Sequence, residues 1–310
     1  MVKMKDAYIL LLMDCNQDCL FCSVPKKDKY LTKEEIIRKI DKYSSEKYDQ
    51  VTITGGEPTL HPDLLDVVSY VKSKNMSCRV VTNGNKLDQE LIDKLIKSGV
   101  DYIAISIHTF DKELAKKLSD YEDYDIDKIL KSVDYILTKT RIPLYINITV
   151  TKLNYKKIPD MCKVISEKYR NVHLINFNYV DIFGNVTDKQ TIEDVGIQYY
   201  ASELYMNKAF RILKKNKINF RAERIPLCYL VGFEEHSSDF NRIQNIEDPK
   251  TDFVEDRFVE ITYLNYDKGK QCKFCNYNKY CYGVNKNYAR IYGTKELYPI
   301  FHVFPKNKLK

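Results

Sequence analysis

The sequence lacks any run of eighteen or more apolar residues, which is the length that a membrane-spanning helix requires. The short apolar stretch after the first lysines lacks the length and the small-residue cleavage site of a secretory signal. It also lacks low-complexity tracts, and its only internal regularity is an alternation of strand and helix patterns. We therefore expect a cytoplasmic protein with no membrane partner.

A disulfide framework is also not expected, although the 310 residues include nine cysteines. Their number is odd, they are clustered at short spacings, and the chain has no export signal. Such clusters in a reducing compartment indicate metal binding or catalysis. The net charge of +7 is moderate; it favours solubility and is compatible with an acidic partner, whereas a nucleic-acid partner is not expected.

The first two-thirds of the chain alternates six strand patterns with helix patterns. The strand patterns cover residues 7–13, 50–54, 78–83, 101–108, 143–150 and 173–180, and the last helix pattern covers residues 191–215. Repeated strand–helix units predict a parallel sheet with helices outside it, either open and doubly wound or curved into a partial barrel. In both cases the active site lies at the carboxyl ends of the strands.

After residue 218 this pattern gives way to short, irregular segments that contain four of the nine cysteines. We place a boundary there, with one domain at residues 1–219 and a small metal-stabilised domain at residues 220–310. Two other cysteines, Cys78 and Cys162, fall on a predicted strand and a predicted helix, and we expect them to be buried as small apolar side chains.

The motif CNQDCLFC follows the first strand and places Cys15, Cys19 and Cys22 at C-x3-C-x2-C spacing. A 4Fe–4S cluster is usually held by four thiolates, so three would leave one iron open to a small molecule. The alternative is a zinc site, which needs four ligands, and the nearest histidine is His61. The spacing and the position favour an iron–sulfur cluster.

This motif, together with TGGEP at residues 54–58 after the second strand, resembles the radical S-adenosylmethionine (radical SAM) superfamily. The resemblance implies a partial (β/α)6 TIM-like barrel and a 4Fe–4S cluster on the three cysteines. It also implies that S-adenosylmethionine chelates the fourth iron. One electron would cleave it, and the resulting 5′-deoxyadenosyl radical would abstract a hydrogen atom from the substrate.

The resemblance further implies a set of cofactor-binding residues. In that family the glycine pair approaches the ligand closely, the glutamate accepts from the methionine ammonium, and the aromatic residue before the last cysteine packs near the adenine. Polar residues at the next strand ends bind the ribose and the methionine carboxylate, and residues of the sixth strand flank the adenine. The corresponding residues are Phe21, Gly55, Gly56, Glu57, Pro58, Asn83, Ser106, Asn147, Thr149, Asn178 and Val180. His108 is equally compatible with a structural role and with a substrate contact.

A second motif, CKFCNYNKYC, places three cysteines at C-x2-C-x5-C spacing, with one more cysteine upstream. It resembles the SPASM/twitch auxiliary domain, which implies a second 4Fe–4S cluster on Cys228, Cys272, Cys275 and Cys281. Asn285 stands where the full SPASM pattern has a cysteine, so the sequence is closer to the single-cluster twitch form. Cys228 could instead donate a hydrogen atom to a substrate radical, and a structural zinc knuckle is the other alternative.

Three functions follow. The first is a maturase that crosslinks, epimerises or oxidises a peptide or protein, although only fourteen residues precede Cys15 and no precursor-recognition domain is evident. The second is a small-molecule or nucleotide enzyme of the cofactor-biosynthesis type, although the chain lacks that family's C-terminal di-glycine. The third is a non-enzymatic iron–sulfur electron carrier. A flavodoxin- or ferredoxin-type reductant is the expected redox partner, and the basic segment 207–224 could dock it.

Overall fold

The computed structural model of the chain describes residues 5–24, 30–238, 240 and 265–302. The strands in these ranges are β1 (Asp6–Leu10), β2 (Gln50–Thr54), β3 (Ser77–Thr82), β4 (Tyr102–Ser106), β5 (Leu144–Val150), β6 (Leu174–Tyr179), β7 (Phe220–Glu223), β8 (Tyr266–Asp267) and β9 (Val284–Asn285). The α-helices are α1 (Lys33–Ser45), α2 (Leu64–Ser73), α3 (Gln89–Lys97), α4 (Lys112–Ser119), α5 (Ile126–Lys139), α6 (Ile158–Lys168), α7 (Lys189–Val195), α8 (Tyr199–Lys215) and α9 (Lys286–Tyr292).

The strands β1 to β7 form one parallel sheet in sequential order, which curls into a half-barrel. This confirms the predicted α/β fold with a partial TIM-like barrel. Along β5, buried aliphatic residues alternate with half-buried Tyr145, Asn147 and Thr149. Because successive side chains of a strand point to opposite faces, the aliphatic set packs under the helices and the polar set faces the concave side. None of the helices in the described ranges is long and apolar enough to span a bilayer.

Three elements differ from the sequence-based prediction. A seventh strand, β7, pairs with β6, so the sheet continues to Glu223, beyond the boundary expected at residue 219. The sequence-based prediction does not include helix α4, because this helix has only eight residues and is rich in charge. The helix pattern at residues 191–215 is two helices that separate at Gly196, where a side chain would lie 2.5 Å from the carbonyl oxygen of Ile192.

The C-terminal cysteine segment packs against the barrel through tyrosine side chains. Tyr199 at the start of α8 stacks on Tyr179 of β6 and on Tyr229, with ring centroids 4.8 and 5.5 Å apart. Its ring also contacts that of Tyr288 in α9, at 4.7 Å. The Glu296 segment binds both partners, because Tyr288 donates to its carboxylate and Tyr229 donates to its carbonyl oxygen. The two parts of the chain are therefore held in contact, and their division into two domains stays a prediction.

Candidate active site at the carboxyl ends of the strands

The three cysteines of the first motif lie together on the loop that follows β1. The backbone amide of Cys22 donates to the carbonyl of Cys19 at 3.0 Å, which closes the C-x-x-C turn. Burial raises the pKa of the Cys15 thiol to about 11, with the nearby Glu57 and Cys22 adding to the shift. Burial also raises the pKa of Cys19, and here Cys22 and Cys15 add to it. Each sulfur thus lies within electrostatic reach of the others, and iron binding must replace the thiol protons.

The surroundings of the thiols fit an iron–sulfur cluster. Gln17 is buried and its Oε1 lies 3.4 Å from the Cys19 sulfur, while its backbone amide donates to the Cys15 sulfur at 3.4 Å. The side-chain nitrogens of Gln17 and Asn16 are buried and find no hydrogen-bond partner among the described residues. Sulfur atoms of a cluster accept hydrogen bonds from such groups. No three His, Cys, Asp or Glu side chains of the described ranges converge as ligands of one metal ion.

The glycine pair lets the loop after β2 lie directly against the loop that carries the cysteines. The backbone amide of Gly56 donates to Leu12 at 2.7 Å, and that of Glu57 donates to Asp14 at 2.9 Å. A Cβ at Gly56 would lie 1.8 Å from the carbonyl oxygen of Asp14, and one at Gly55 would lie 2.3 Å from that of Leu12. The sequence predicted a close approach to the ligand, and the structure adds this close approach to the chain's own backbone.

Glu57 is fully buried at the centre of the site. Its Oε1 accepts from the backbone amide and the hydroxyl of Thr59, at 3.0 and 2.7 Å, and from the hydroxyl of Thr82 at 2.7 Å. Its Oε2 accepts from the backbone amide of Asn83 at 2.7 Å. Burial raises the pKa of this carboxyl, and the hydrogen bonds oppose that shift. The first action of Glu57 is therefore to fix the ends of β2 and β3; the neighbouring Pro58 begins a short 3-10 turn.

Asn83 connects the end of β3 to the cysteine loop. Its Nδ2 donates to the side-chain oxygen of Asn16 at 2.8 Å and lies 3.7 Å from the Cys15 sulfur. Its Oδ1 accepts from the backbone amide of Asn85 at 2.9 Å, which settles its orientation. Three predicted site residues, Cys15, Glu57 and Asn83, are thus brought into one hydrogen-bonded group.

The remaining predicted residues lie at the ends of β4, β5 and β6. Ser106 is in register with Asn147, and Thr149 is in register with Asn178. All four are half-buried, whereas Val180 is buried and donates through its amide to Val150. The structure therefore aligns these polar groups across three neighbouring strands, and their contacts with S-adenosylmethionine stay a prediction.

His108 has a more definite environment than the sequence indicated. Its ring packs edge-on against Phe21 of the cysteine loop, with centroids 4.6 Å apart. Its Nδ1 accepts from the backbone amide of Thr149 at 3.0 Å, so the neutral ring carries its proton on Nε2. Burial lowers the pKa of His108 to about 4. Buried Asn154 holds this arrangement by donating to the carbonyl oxygens of both His108 and Thr149, each at 2.8 Å.

Sequence reasoning missed the groups that fix the cysteine loop from outside. Backbone carbonyls at the end of α4 accept from the cysteine loop. The backbone amide of Asp18 donates to the carbonyl oxygen of Ser119 at 2.9 Å, and that of Leu20 donates to the carbonyl oxygen of Leu118 at 3.1 Å. On the other side, Asn185 donates to the carbonyl oxygens of Cys19 and Cys22. No local motif marks these contacts, because they join segments that are far apart along the chain.

The second cysteine set also comes together. Cys228, Cys272, Cys275 and Cys281 line one common cavity, and none of the nine cysteines forms a disulfide. Burial raises the pKa of Cys228 to about 12, and the neighbouring Cys281 and Cys272 add to it. Backbone amides point at these sulfurs: that of Ile300 donates to Cys275 at 3.3 Å, and that of Gly283 donates to Cys281 at 3.4 Å. Four thiols with such donors fit a fully ligated metal cluster. Cys78 and Cys162 are fully buried elsewhere, as predicted.

The sequence matches the Radical SAM superfamily over residues 9–165, which is half of the chain. A probable GTP 3',8-cyclase from Thermoplasma volcanium is 32% identical over 176 residues, covering 54% of this chain and 52% of that protein. Another, from Saccharolobus islandicus, is 26% identical over 212 residues, covering 67% of this chain and 68% of that protein. The chain thus spans about half the length of the first of these relatives.

Two solved structures are similar over nearly the whole chain. Streptococcus suis SuiB bound to S-adenosylmethionine has a TM-score of 0.66 at 17% identity, covering 96% of this chain and 76% of that chain. The structure of anSMEcpe with bound AdoMet and Kp18Cys peptide has a TM-score of 0.67 at 15% identity, covering 95% and 91%. At such identities these likenesses show the fold.

The matched segment contains the elements of the site in their expected order. Residues 9–165 include the three-cysteine loop, the glycine pair with Glu57, and Asn83. They also include the polar ends of β4 and β5. The chain therefore belongs to the Radical SAM superfamily.

Proposed function

We propose that this enzyme abstracts a hydrogen atom from a small molecule, with nucleotides as the leading class. The observation that carries the chemistry is the convergence of three thiols, Glu57 and Asn83 at the carboxyl ends of β1, β2 and β3. The substrate class is supported by relatives that are named probable GTP 3',8-cyclases. These relatives favour the small-molecule alternative over the peptide substrate that ranked first from sequence.

The residues of the site have separate tasks in this proposal. Cys15, Cys19 and Cys22 would hold the cluster and leave one iron for the methionine group of S-adenosylmethionine. When bound, the cluster supplies the electron that cleaves S-adenosylmethionine to the 5′-deoxyadenosyl radical. Glu57 fixes the loop ends, and Asn83 with the polar ends of β4 to β6 would bind the ribose and carboxylate. Phe21 and Val180 are the apolar groups proposed for the adenine.

The concave side of the sheet carries two arginines at the amino ends of the strands, opposite the cysteine loop. Arg79 lies between the rings of Tyr8 and Tyr145, 5.9 Å from each centroid, and forms a 2.5 Å ion pair with Asp6. Arg221 is exposed on the edge strand β7, close enough to lower the pKa of Asp6. The proposed nucleotide substrate is therefore supported by the relatives and not by these arginines.

For the second cysteine set we propose an auxiliary 4Fe–4S cluster in a twitch-type domain. Four thiols in one cavity provide a complete ligand set, with Cys228 as the fourth ligand. A peptide or protein is the second candidate substrate, and the complete set of four thiol ligands favours it. If all four irons have protein ligands, the auxiliary cluster has no open iron for a nucleotide.

The electron would come from a flavodoxin- or ferredoxin-type protein, for which Lys208, Arg211 and Lys215 offer an exposed basic face on α8.

The first test is the iron and acid-labile sulfide content after anaerobic reconstitution. Wild type is compared with the variant in which Cys15, Cys19 and Cys22 are all alanine. About eight irons falling to about four indicates one cluster in each cysteine set. About four falling to none leaves the second set without a cluster and removes the auxiliary domain from the proposal. Iron unchanged by the triple substitution contradicts the catalytic assignment.

The substrate class is tested by the release of 5′-deoxyadenosine under reducing conditions. Nucleoside triphosphates and short unstructured peptides are offered in parallel, with their carbon-bound hydrogens replaced by deuterium. Deuterium in the 5′-deoxyadenosine identifies the compound that loses the hydrogen atom. Transfer from a nucleotide supports the leading proposal, and transfer from a peptide replaces it with the second candidate.

A further inference from the structure

Residues 181–185, which we call the β6 loop, lie between the two cysteine sets and contact both parts of the chain. They follow β6 and precede α7. The sequence motifs do not include them, and the proposed function gives them no task. Their hydrogen bonds nevertheless lead from the C-terminal segment to the loop that carries the catalytic cysteines.

One end of the β6 loop holds the cysteine loop. The backbone amide of Asn185 donates to the carbonyl oxygen of Cys22 at 2.8 Å. Its side-chain Nδ2 donates to the carbonyl oxygen of Cys19 at 3.0 Å and lies 3.2 Å from the carboxylate of Asp18. Two of the three cysteines are therefore bound through their own backbone, at the turn that sets the direction of their thiols.

The approach between the two loops is too close for a side chain at position 184. Gly184 has a φ of +67°, and a Cβ there would lie 2.3 Å from the carbonyl oxygen of Cys22 and 2.7 Å from the Cα of Ser23. Only glycine meets both the left-handed conformation and the contact at low cost. The backbone of the β6 loop thus forms one wall of the cysteine loop.

The other end of the β6 loop is bound by the C-terminal segment and by β7. Asn287 in α9 donates from Nδ2 to the carbonyl oxygen of Ile182 at 3.0 Å. Its own amide is fixed by the side chain of Asn285, the N-cap of α9 and the last residue of β9. Asp181 forms a 2.8 Å ion pair with Arg224, and both side chains are mostly buried. Asn285 follows Cys281 of the second set by four residues.

We propose that Asn185 is a positioning residue for the catalytic cluster, and that Asn287 transmits the state of the second cysteine set to it through the β6 loop. The inference rests on the proposed placement of a cluster in each set. Donors on the carbonyl oxygens of Cys19 and Cys22 preorganise the turn, so that three thiolates meet the cluster at little conformational cost. Filling the second set orders the segment that holds Asn287 and thereby tightens the turn.

The test uses the reconstituted full chain with Asn185→Ala, Asn287→Ala and, as a control, Asn207→Ala. Within the described part of the chain, the Asn207 side chain bonds a carbonyl of its own helix. Asn185→Asp is a second variant that keeps the size but removes the donor. Two readouts are recorded: the rate of iron release to a ferrous chelator, and the change in the electron paramagnetic resonance signal on adding S-adenosylmethionine. Only the cluster with an open iron gives that change, so the second readout reports on the first set.

We expect Asn185→Ala to release about four irons roughly five-fold faster or more, as the loss of one net hydrogen bond implies, and to alter the S-adenosylmethionine-dependent signal. Asn287→Ala should produce the same changes at smaller size, and Asn207→Ala should match wild type. Wild-type behaviour of both Asn185 variants, in a protein that loads its clusters normally, overturns the inference. Asn287→Ala that affects only the irons of the second set overturns the transmission. A wild-type protein that binds no iron at Cys15 contradicts the proposed function instead.

Discussion

The backbone amide of Asn83 donates a 2.7 Å hydrogen bond to Glu57 Oε2 and joins the end of β3 to the end of β2. The same asparagine reaches the cysteine loop through its side chain. A carboxylate that is already saturated by donors of its own chain acts on a ligand chiefly through the backbone and side chains that it orients. The glutamate of the TGGEP motif is therefore a structural centre of the cofactor site.

Replacing Glu57 by glutamine tests this interpretation. A glutamine amide must direct an N–H toward either the Asn83 amide or the two threonine hydroxyls, so at least one buried donor loses its acceptor. We expect the free energy of unfolding to fall by about 1–3 kcal/mol. We expect the affinity for S-adenosylmethionine to fall by about tenfold, the equivalent of about 1.4 kcal/mol. Denaturant titration and equilibrium binding provide the two measurements.

Glu90→Gln is the matched control, because Glu90 is exposed on α3 and, among the residues that the structure describes, pairs with Lys94 of its own helix. It should leave binding unchanged. A Glu57→Gln protein with wild-type stability and reduced affinity would indicate direct contact with the ligand instead.

Gln17→Leu should make the midpoint potential of the catalytic cluster more negative. The Gln17 amide lies beside the Cys19 sulfur, and its nitrogen has no other partner in the described structure. Once Cys19 has lost its proton to bind iron, only the N–H end of the amide can bond the sulfur. Such a donor stabilises the more negative, reduced cluster and raises its potential. A redox titration followed by electron paramagnetic resonance measures the shift.

The exposed Gln190→Leu on α7 is the control for the change in side-chain type, and its potential should equal that of wild type. A Gln17→Leu potential at or above the wild-type value contradicts the assignment of Gln17 as a donor to sulfur.

Cys228→Ser should weaken the second cluster selectively. We expect about four irons to be lost to a chelator while about four remain, since three thiolates hold a 4Fe–4S cluster less firmly than four. Cys162→Ala removes a fully buried cysteine from α6, remote from both motifs in sequence, and should retain all iron. If Cys228→Ser keeps its full iron content but loses product formation, Cys228 is a hydrogen-atom donor and not a ligand.

His108 predicts a pH dependence of stability. Its folded pKa of about 4 lies below the ordinary value of 6.5, so the folded state binds fewer protons than the unfolded state between these limits. The contribution of the neutral ring is complete above about pH 6.5 and decreases as the pH falls toward 4, by up to about 3 kcal/mol. His108→Asn offers an acceptor that does not titrate in this range. Denaturant midpoints at pH 7.5 and 5 should differ more for wild type than for this variant; equal differences would contradict the prediction.

Local patterns were sufficient wherever neighbours in sequence decide the structure. The strand predicted at residues 50–54 is β2 with the same bounds, because a short β-branched run between two helix patterns has few alternatives. The capping box of Thr32 and Glu35 at the start of α1 is equally local, since both of its hydrogen bonds join residues only three positions apart. The convergence of the cysteine loop with TGGEP follows from the rule that parallel strands end at one edge.

Contacts between distant segments could not be predicted in this way. The strand β7 has only four residues and carries charge at Arg221 and Glu223, so its membership of the sheet depends on β6. Two of the four donors to Glu57 come from the end of β3, 25 and 26 positions further along the chain, and Asn185 lies 166 positions from Cys19. A side chain's role in such contacts is set by tertiary packing, for which a single sequence offers no periodic signal.

The distance between Cys19 and Asn185 along the chain has a consequence for biosynthesis. The 166 residues that follow Cys19 and end with Asn185 take roughly 8–33 s to be made, at about 5–20 residues per second. During that interval the cysteine loop has been made, but the β6 loop that forms one of its walls has not. A nascent chain therefore offers three thiols in an unfinished loop, and stable acquisition of the cluster belongs after synthesis of β6. Iron delivery to this enzyme should be post-translational for a geometric reason.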